Sequence, residues 1–450
     1  MPFEPLCFVH ATDLLLDHPL REMGGVDDRY RRTLEDASLI AFDRLIDVTI
    51  QRKADFLLLA GGSFVADDRS LRAETALRRN LDRLGEHEIR VFVIPGRSDP
   101  AAAWRRLPNL PDNVTPLLDE QCEPVAVIRD GNVIASISVE SATKLIEWSE
   151  TPIDLTRPAS AYRGPFTVGS LMVDDNMLCP GDRDNKYTKQ KTTPDGDSTV
   201  GLLTETPFAQ HLADCPLDYL ALGGPGRRCS LSMRTGIAHH PGSIQAHGPH
   251  DSGPHGFTFI NVDSDGMVHS NFIPAAPVRY ETASIRIHEE THRNDLAQQL
   301  RDRFSQFHSE AGEELWFLEW AVEGDGPLVE MFQSAVERAP LLEAAELSTS
   351  LAKQVQLSHS YRLLWQDPGN THVHRHEPLA AEYFTTLADL QPDSKDALLR
   401  AAASALPEDD PHRERLVMLV DEVDRATVAA RARRLGMVQF NTLPEEGSLT

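Results

Sequence analysis

Short, nearly continuous apolar runs separated by longer polar and amphipathic stretches set the pattern of the first 140 residues. Leu6 to Ala11, Phe56 to Gly61 and Ile89 to Gly96 have the character of strands buried on both faces of a sheet. Between the first two, Leu34, Ala41, Leu45 and Val48 recur at helical spacing and predict a helix with one buried stripe. Alternation of this kind predicts a layered α/β fold. Val125-Ala126-Val127-Ile128 and Val133-Ile134-Ala135-Ser136-Ile137 flank Arg129-Asp130-Gly131-Asn132, a hairpin signal. A second hairpin is expected to turn at Asp265-Gly266, between Phe257 to Val262 and Met267 to Phe272. Antiparallel hairpins beside parallel strands suit a sandwich of mixed sheets.

The pattern changes after Pro274-Ala275-Ala276-Pro277. Val278 to Ile287 reads as a strand, Asp295 to Leu300 opens a helix running towards His308, and Trp316 to Val322 reads as another strand. A polar, histidine-bearing stretch from Gln366 to His376 then leads into a helical tail. Its last helix can be capped by Asp410, with Pro411 at its first position and Gly436 closing it. Arg431, Arg433 and Arg434 lie near its negative end, and Leu416, Leu419, Val420 and Val423 form an apolar stripe. Two stretches break the regular pattern. Asp174 to Ser198 is long and polar and reads as a surface loop. His239, His240, His247, His250 and His255 form a cluster interleaved with Gly and Pro, read as a solvated loop, with a displaced single-metal site as the alternative.

The ends of the buried runs carry the chemical information. Phe8-Val9-His10-Ala11-Thr12-Asp13-Leu14-Leu15 resembles the first motif of the calcineurin-like metallophosphoesterases, in the branch of SbcD-type and YhaO-type DNA-repair nucleases. That motif reads Asp-x-His in the family. Here Asp13 is kept and Leu15 stands at the metal-binding histidine. Leu59-Ala60-Gly61-Gly62 resembles the family's Gly-Asp, with Gly62 at the carboxylate that bridges two metals. Pro95-Gly96-Arg97-Ser98-Asp99 resembles Gly-Asn-His-Asp, with Arg97 for the asparagine ligand and Ser98 for the catalytic histidine. Val200 to Thr204 matches a strand that ends in a ligand histidine, here Thr204. Leu222-Gly223-Gly224-Pro225-Gly226 resembles Gly-His-x-His, with Gly224 and Gly226 at both histidines, and Pro241-Gly242-Ser243 follows as in the family.

The resemblance covers residues 6 to 280 and implies a four-layer α/β/β/α sandwich of mixed sheets with a small α+β cap domain and a helical C-terminal tail. The implied division is 1–278 for the phosphoesterase-like domain, 279–350 for a small capping domain, and 351–450 for a linker and helical C-terminal region. It also implies an SMC-like ATPase as partner through the C-terminal helices, DNA ends as a weaker partner, and a homodimer.

Physics makes the loss of ligands consequential. Two divalent cations ~3.5 to 4 Å apart repel by roughly 15 to 20 kcal/mol even at an effective dielectric of about 20. A bridging carboxylate offsets that repulsion in the family, and Gly62 cannot supply one. Asp13 and Asp99 are the residual candidates and could hold at most one hydrated cation. No cofactor is therefore expected, with Mn2+ reserved for the alternative of a rearranged, active site.

Composition narrows the setting. The five cysteines are scattered without Cys-x-x-Cys spacing, which argues against a disulfide framework or a zinc site. No basic-then-apolar leader and no apolar run near the ~20 residues of a membrane span are visible, so no membrane partner and a cytoplasmic location are expected. The formal net charge of -25 works against nucleic-acid binding by the chain as a whole. Arg97, Arg227 and Arg228 are local candidates for a phosphate or nucleic acid. Three functions fit: a non-catalytic scaffold, a phosphoesterase with a rearranged site, and a module that cradles a phosphate with Arg97 and the amides of the Gly-rich turns.

Overall fold

The computed structural model describes residues 4–22, 26–118, 123–140, 165–173, 212, 215–288, 290–324, 327–347 and 349–364. Thr204, the 174–198 stretch, the 366–376 stretch and the final helix of the sequence reading lie outside the described residues. The chain divides into two compact units, Met1–Val322 with Pro327–Arg362, and Glu323–Gly326 with Leu363–Thr450. The site discussed below belongs to the first.

Two six-stranded sheets form the body of that unit, counted over the described residues. The first contains β1 (Leu6–Ala11), β2 (Phe56–Ala60), β3 (Arg90–Ile94), β4 (Val114–Pro116), β11 (Gly256–Val262) and β12 (Val268–Pro274), in the order β12-β11-β1-β2-β3-β4. Its β1-β2-β3-β4 half is parallel, and the β11-β12 hairpin joins antiparallel to β1, with His10 opposite Thr258. The second contains β5 (Val125–Arg129), β6 (Asn132–Val139), β7 (Phe166–Met172), β8 (Tyr219–Gly223), β9 (Cys229–Ser232) and β10 (Ile237–His240), in the order β5-β6-β7-β8-β10-β9. Here β6, β7, β8 and β10 run parallel, and β5 and β9 close the edges antiparallel. Both expected hairpins form, and the mixed sheets are the expected ones.

Alternation of side chains along each strand sets the layers. Phe8, Phe56 and Phe92 point between the sheets, where they meet Phe166, Val168 and Tyr219. Phe8 and Phe56 stack with ring centroids 4.6 Å apart. The alternate residues Val9, Leu57, Leu59 and Val91 face outwards against α2 (Ala37–Gln51) and α3 (Leu71–Glu86), through Phe42, Leu45, Leu77 and Leu81. Because both faces are covered, these strands are apolar throughout, and that is why they read as continuous runs. On the far side of the second sheet, Leu171, Leu220 and Leu222 pack with Leu212 and Cys215.

One expected element differs. The single amphipathic helix after β1 is two helices, α1 (Asp28–Glu35) and α2, parted at Asp36. Leu34 belongs to α1 and packs with Tyr280 and Phe317, whereas Ala41 and Leu45 pack on the first sheet. A change of packing partner forces the break, and the apolar periodicity continues across it. Beyond the sandwich, β13 (Val278–Ile287), β14 (Leu315–Gly324) and β15 (Gln356–Leu364) form a three-stranded sheet, with α5 (Arg293–Phe304) following β13 after the short α4 (Ala101–Trp104) of the sandwich. Among the described residues no helix is long and apolar enough to cross a membrane.

The inter-sheet layer carries the stability. Phe56→Ala removes a side chain of 0% exposure, and we expect a loss of about 3 to 5 kcal/mol in urea unfolding. Leu71→Ala, at 77% exposure, is expected to change stability by less than about 0.5 kcal/mol.

Candidate functional site

The C-terminal ends of β1, β2, β3 and β8 converge, and short hydrogen bonds lock them. The Thr12 hydroxyl donates to the Ala60 carbonyl at 2.6 Å and accepts the Gly224 amide at 2.9 Å, so one side chain joins three strand ends. The Asp13 amide donates to Gly61 O at 2.9 Å and the Leu15 amide to Gly62 O at 2.8 Å. Thr12 also bridges to Ser243 and Leu16 to Phe64. Asp13, Gly62, Gly96, Asp99 and Gly224, identified separately along the chain, are thereby neighbours. Asp13, Leu15 and Asp17 all take the left-handed backbone region, with φ of 53°, 40° and 61°, which is uncommon for residues with a Cβ.

Backbone geometry makes two of the replacements structural. Gly62 has φ +70°, and a Cβ there would lie 2.7 Å from both Cα and Oδ1 of Asp13. Gly224 has φ +99°, and a Cβ there would lie 2.6 Å from Val173 O. Neither position accepts a side chain without movement of the neighbouring backbone.

Asp99 is fully buried and fully engaged. Its Oδ1 accepts the amides of Gly62 and Gly96, both at 2.8 Å, and its Oδ2 accepts the Ser63 amide at 3.0 Å and the Trp104 indole N–H at 3.1 Å. Burial pushes its carboxyl up, against the pull of these N–H groups. The other positions supply little. Leu15 and Ser98 are half-buried, Arg97 and Arg227 are exposed, and Gly226 has no side chain. Arg228 lies with its guanidinium carbon 3.8 Å from the centre of the Phe272 ring, a cation–π contact.

These residues do not fit a pair of divalent cations. The bridging position is a glycine that excludes a Cβ, and the oxygens of Asp99 already have N–H partners. Among the described residues no group of three or more His, Cys, Asp or Glu is placed to hold a metal ion. The same hydrogen bonds bear on a phosphate cradle, since the amides of Gly62, Ser63, Gly96 and Gly224 are already donated within the protein.

The histidines correct the reading of a solvated loop. His239 and His240 are the end of β10 and are buried, as is His255. His239 sits between the hydroxyls of Ser230 and Thr258, both at 2.8 Å. His240 donates from Nε2 to Gly224 O at 3.1 Å and accepts the Gly242 amide at Nδ1 at 3.0 Å. His10, which sequence reasoning passed over as part of an apolar run, bonds the Tyr219 hydroxyl at 2.9 Å through Nδ1. Its position two residues after Phe8 on the inter-sheet face was the available signal. Burial, reinforced by the neighbouring imidazoles, holds His10 neutral well below the usual range. Burial likewise lowers His239 to about 3 and His240 to about 4.

No protein-family model matches the chain. It is 28% identical over 308 residues to a Bacillus subtilis protein described as uncharacterized metallophosphoesterase YhaO, a match that spans 67% of this chain and 68% of that one. The relative and the strand-end motifs both point to the calcineurin-like metallophosphoesterase superfamily. Among solved structures, the TT1561 protein of Thermus thermophilus matches with a TM-score of 0.33 at 10% identity, covering 60% of this chain and 99% of that one. A dimetal phosphatase from Danio rerio matches with a TM-score of 0.30 at 9% identity, covering 61% and 100%. Two mixed six-stranded sheets carry glycine, leucine, arginine and serine at the strand ends that bear the resemblance.

Asp99→Asn turns one acceptor into a donor facing N–H groups, and we expect a loss of about 1 to 3 kcal/mol in chemical denaturation. The histidines set an acid limit. Their folded pKa values lie below the usual 6.5, so their contribution is complete above about pH 6.5 and is lost as pH falls towards 4 and 3. His240→Gln, which can keep both hydrogen bonds, is expected to flatten the stability-versus-pH profile between about pH 6.5 and 4 by roughly 1.4 kcal/mol per pH unit. The wild-type-minus-variant difference is the readout, because the raised carboxyl of Asp99 contributes a slope of opposite sign.

Proposed function

We propose that this chain is a non-catalytic metallophosphoesterase homologue, retained as a scaffold in the SbcD-type and YhaO-type nuclease branch and working beside an SMC-like ATPase in DNA repair. The observation that carries the reading is the engagement of Asp99 together with the closed Gly62 position. Hydrolysis by paired cations needs a bridging carboxylate and several open donors; Gly62 supplies no carboxylate, and the Asp99 oxygens are already bonded to N–H groups. The spent turn amides likewise favour this reading over a phosphate cradle. The ATPase and the DNA ends are suggested by the family resemblance, and the acidic balance of the chain makes the protein partner the stronger of the two.

The deciding experiment is metal analysis of the purified protein combined with a manganese-dependent nuclease assay on linear DNA. The expected outcome is less than one manganese per chain and cleavage at the level of a protein-free control. Two manganese ions per chain, with cleavage abolished by Asp13→Ala, would overturn the proposal.

A further inference from the structure

Away from the strand ends that lost their ligands, two imidazoles face each other between the loops after β1 and β10. His18 and His247 have ring centroids 5.5 Å apart, with planes inclined by 31°. His18 follows the left-handed turn at Leu15 and Asp17, and its amide donates to Leu15 O at 3.0 Å. His247 is held against the same loop, since its carbonyl accepts the Arg21 amide at 2.9 Å.

Nδ1 of each ring is committed to an acceptor. Nδ1 of His18 lies 2.8 Å from Asp68 Oδ2, and Nδ1 of His247 lies 3.1 Å from Gln245 O. A carboxylate and a carbonyl can only accept, so Nδ1 is the donor in each ring, and a neutral ring held this way presents its lone pair at Nε2. The Nε2 of His247 is buried and has no hydrogen-bond partner among the described residues. A buried acceptor left without a donor costs about 1 to 3 kcal/mol, so a fold that keeps one either bears that cost or fills the position. A lone pair on Nε2 with Nδ1–H on a carboxylate or carbonyl is the orientation that metal-binding histidines adopt.

We infer that His18 and His247 form a two-imidazole site for one borderline divalent transition metal of the zinc, nickel or copper class, oriented by Asp68 and Gln245. The centroid spacing suits it: an ion ~2.1 Å from each Nε2 at a tetrahedral angle places the two ring centres about 5 Å apart. Two protein donors leave the other coordination positions to water or an anion, and imidazole pairs select this class over manganese or magnesium. The site shares no ligand with the strand-end positions and is independent of the scaffold reading.

The test is zinc titration by calorimetry, with full-length protein carrying His372→Ala, His374→Ala and His376→Ala as parent, because that His-x-His-x-His stretch can take metal on its own. The parent is expected to bind one zinc per chain, with affinity falling at least tenfold in His18→Ala and in His247→Gln. Asp68→Asn is expected to weaken binding about tenfold, the usual effect of losing the partner of a ligand histidine. His18 is partly exposed, so its variant reports on binding even where the His247 variant fails to fold. Absence of zinc binding by the parent, or binding unaltered in His18→Ala, would refute the site. A manganese-dependent nuclease would overturn the scaffold proposal and leave this result untouched.

Discussion

Both oxygens of Asp99 are spent on N–H groups from the turns after β2 and β3 and from Trp104. A buried carboxylate is costly unless charge-assisted hydrogen bonds replace its water, and four of them do so here. The same bonds fix the turns at the strand ends, which in turn hold Gly62 against Asp13. Thr12 performs the complementary task on the other side, tying β1 to β2 and to Gly224. Cross-links that cations supply in a two-metal enzyme are supplied at these strand ends by one carboxylate and one hydroxyl.

The space between the sheets shows a second consequence. Beside the apolar layer of Phe8, Phe56 and Phe166 lies a polar one, in which His10, Tyr219, His239 and Thr258 meet across the two sheets. These groups are compatible with burial only as neutral species, each bonded where geometry permits. Their burial links the integrity of β1, β8, β10 and β11 to the protonation of imidazoles. The region next to the closed strand ends is thus stabilised by hydrogen bonds whose donors and acceptors depend on pH.

The two sheets and the strand ends answer to different constraints. The paired sheets, their mixed directions and the convergence of strand ends all depend on apolar burial and backbone pairing, which tolerate glycine, leucine or serine at the rim. Catalysis by paired cations depends instead on a handful of donor atoms, and a single missing methylene carboxylate at Gly62 removes the central one. Fold and chemistry answer to different residues, so one can persist without the other.

The sequence alone determined the apolar runs Leu6 to Ala11, Phe56 to Gly61 and Ile89 to Gly96 as strands, together with both hairpins and the motifs that carry the family resemblance, because those features are written in contiguous residues whose period and turn chemistry are local. The expectation that ligand positions are replaced rests on the same contiguous motifs. The sequence did not show the break at Asp36, where the apolar period continues while the packing partner changes, nor that His239 and His240 form a buried strand, since the glycines and prolines around them look like loop. The role of Asp99 was equally hidden. Its partners lie up to 37 positions away, and the amide bound by Thr12 lies 212 positions away. Which donor meets which acceptor across such separations is settled only when the sheets close, because it depends on distances that no local pattern encodes.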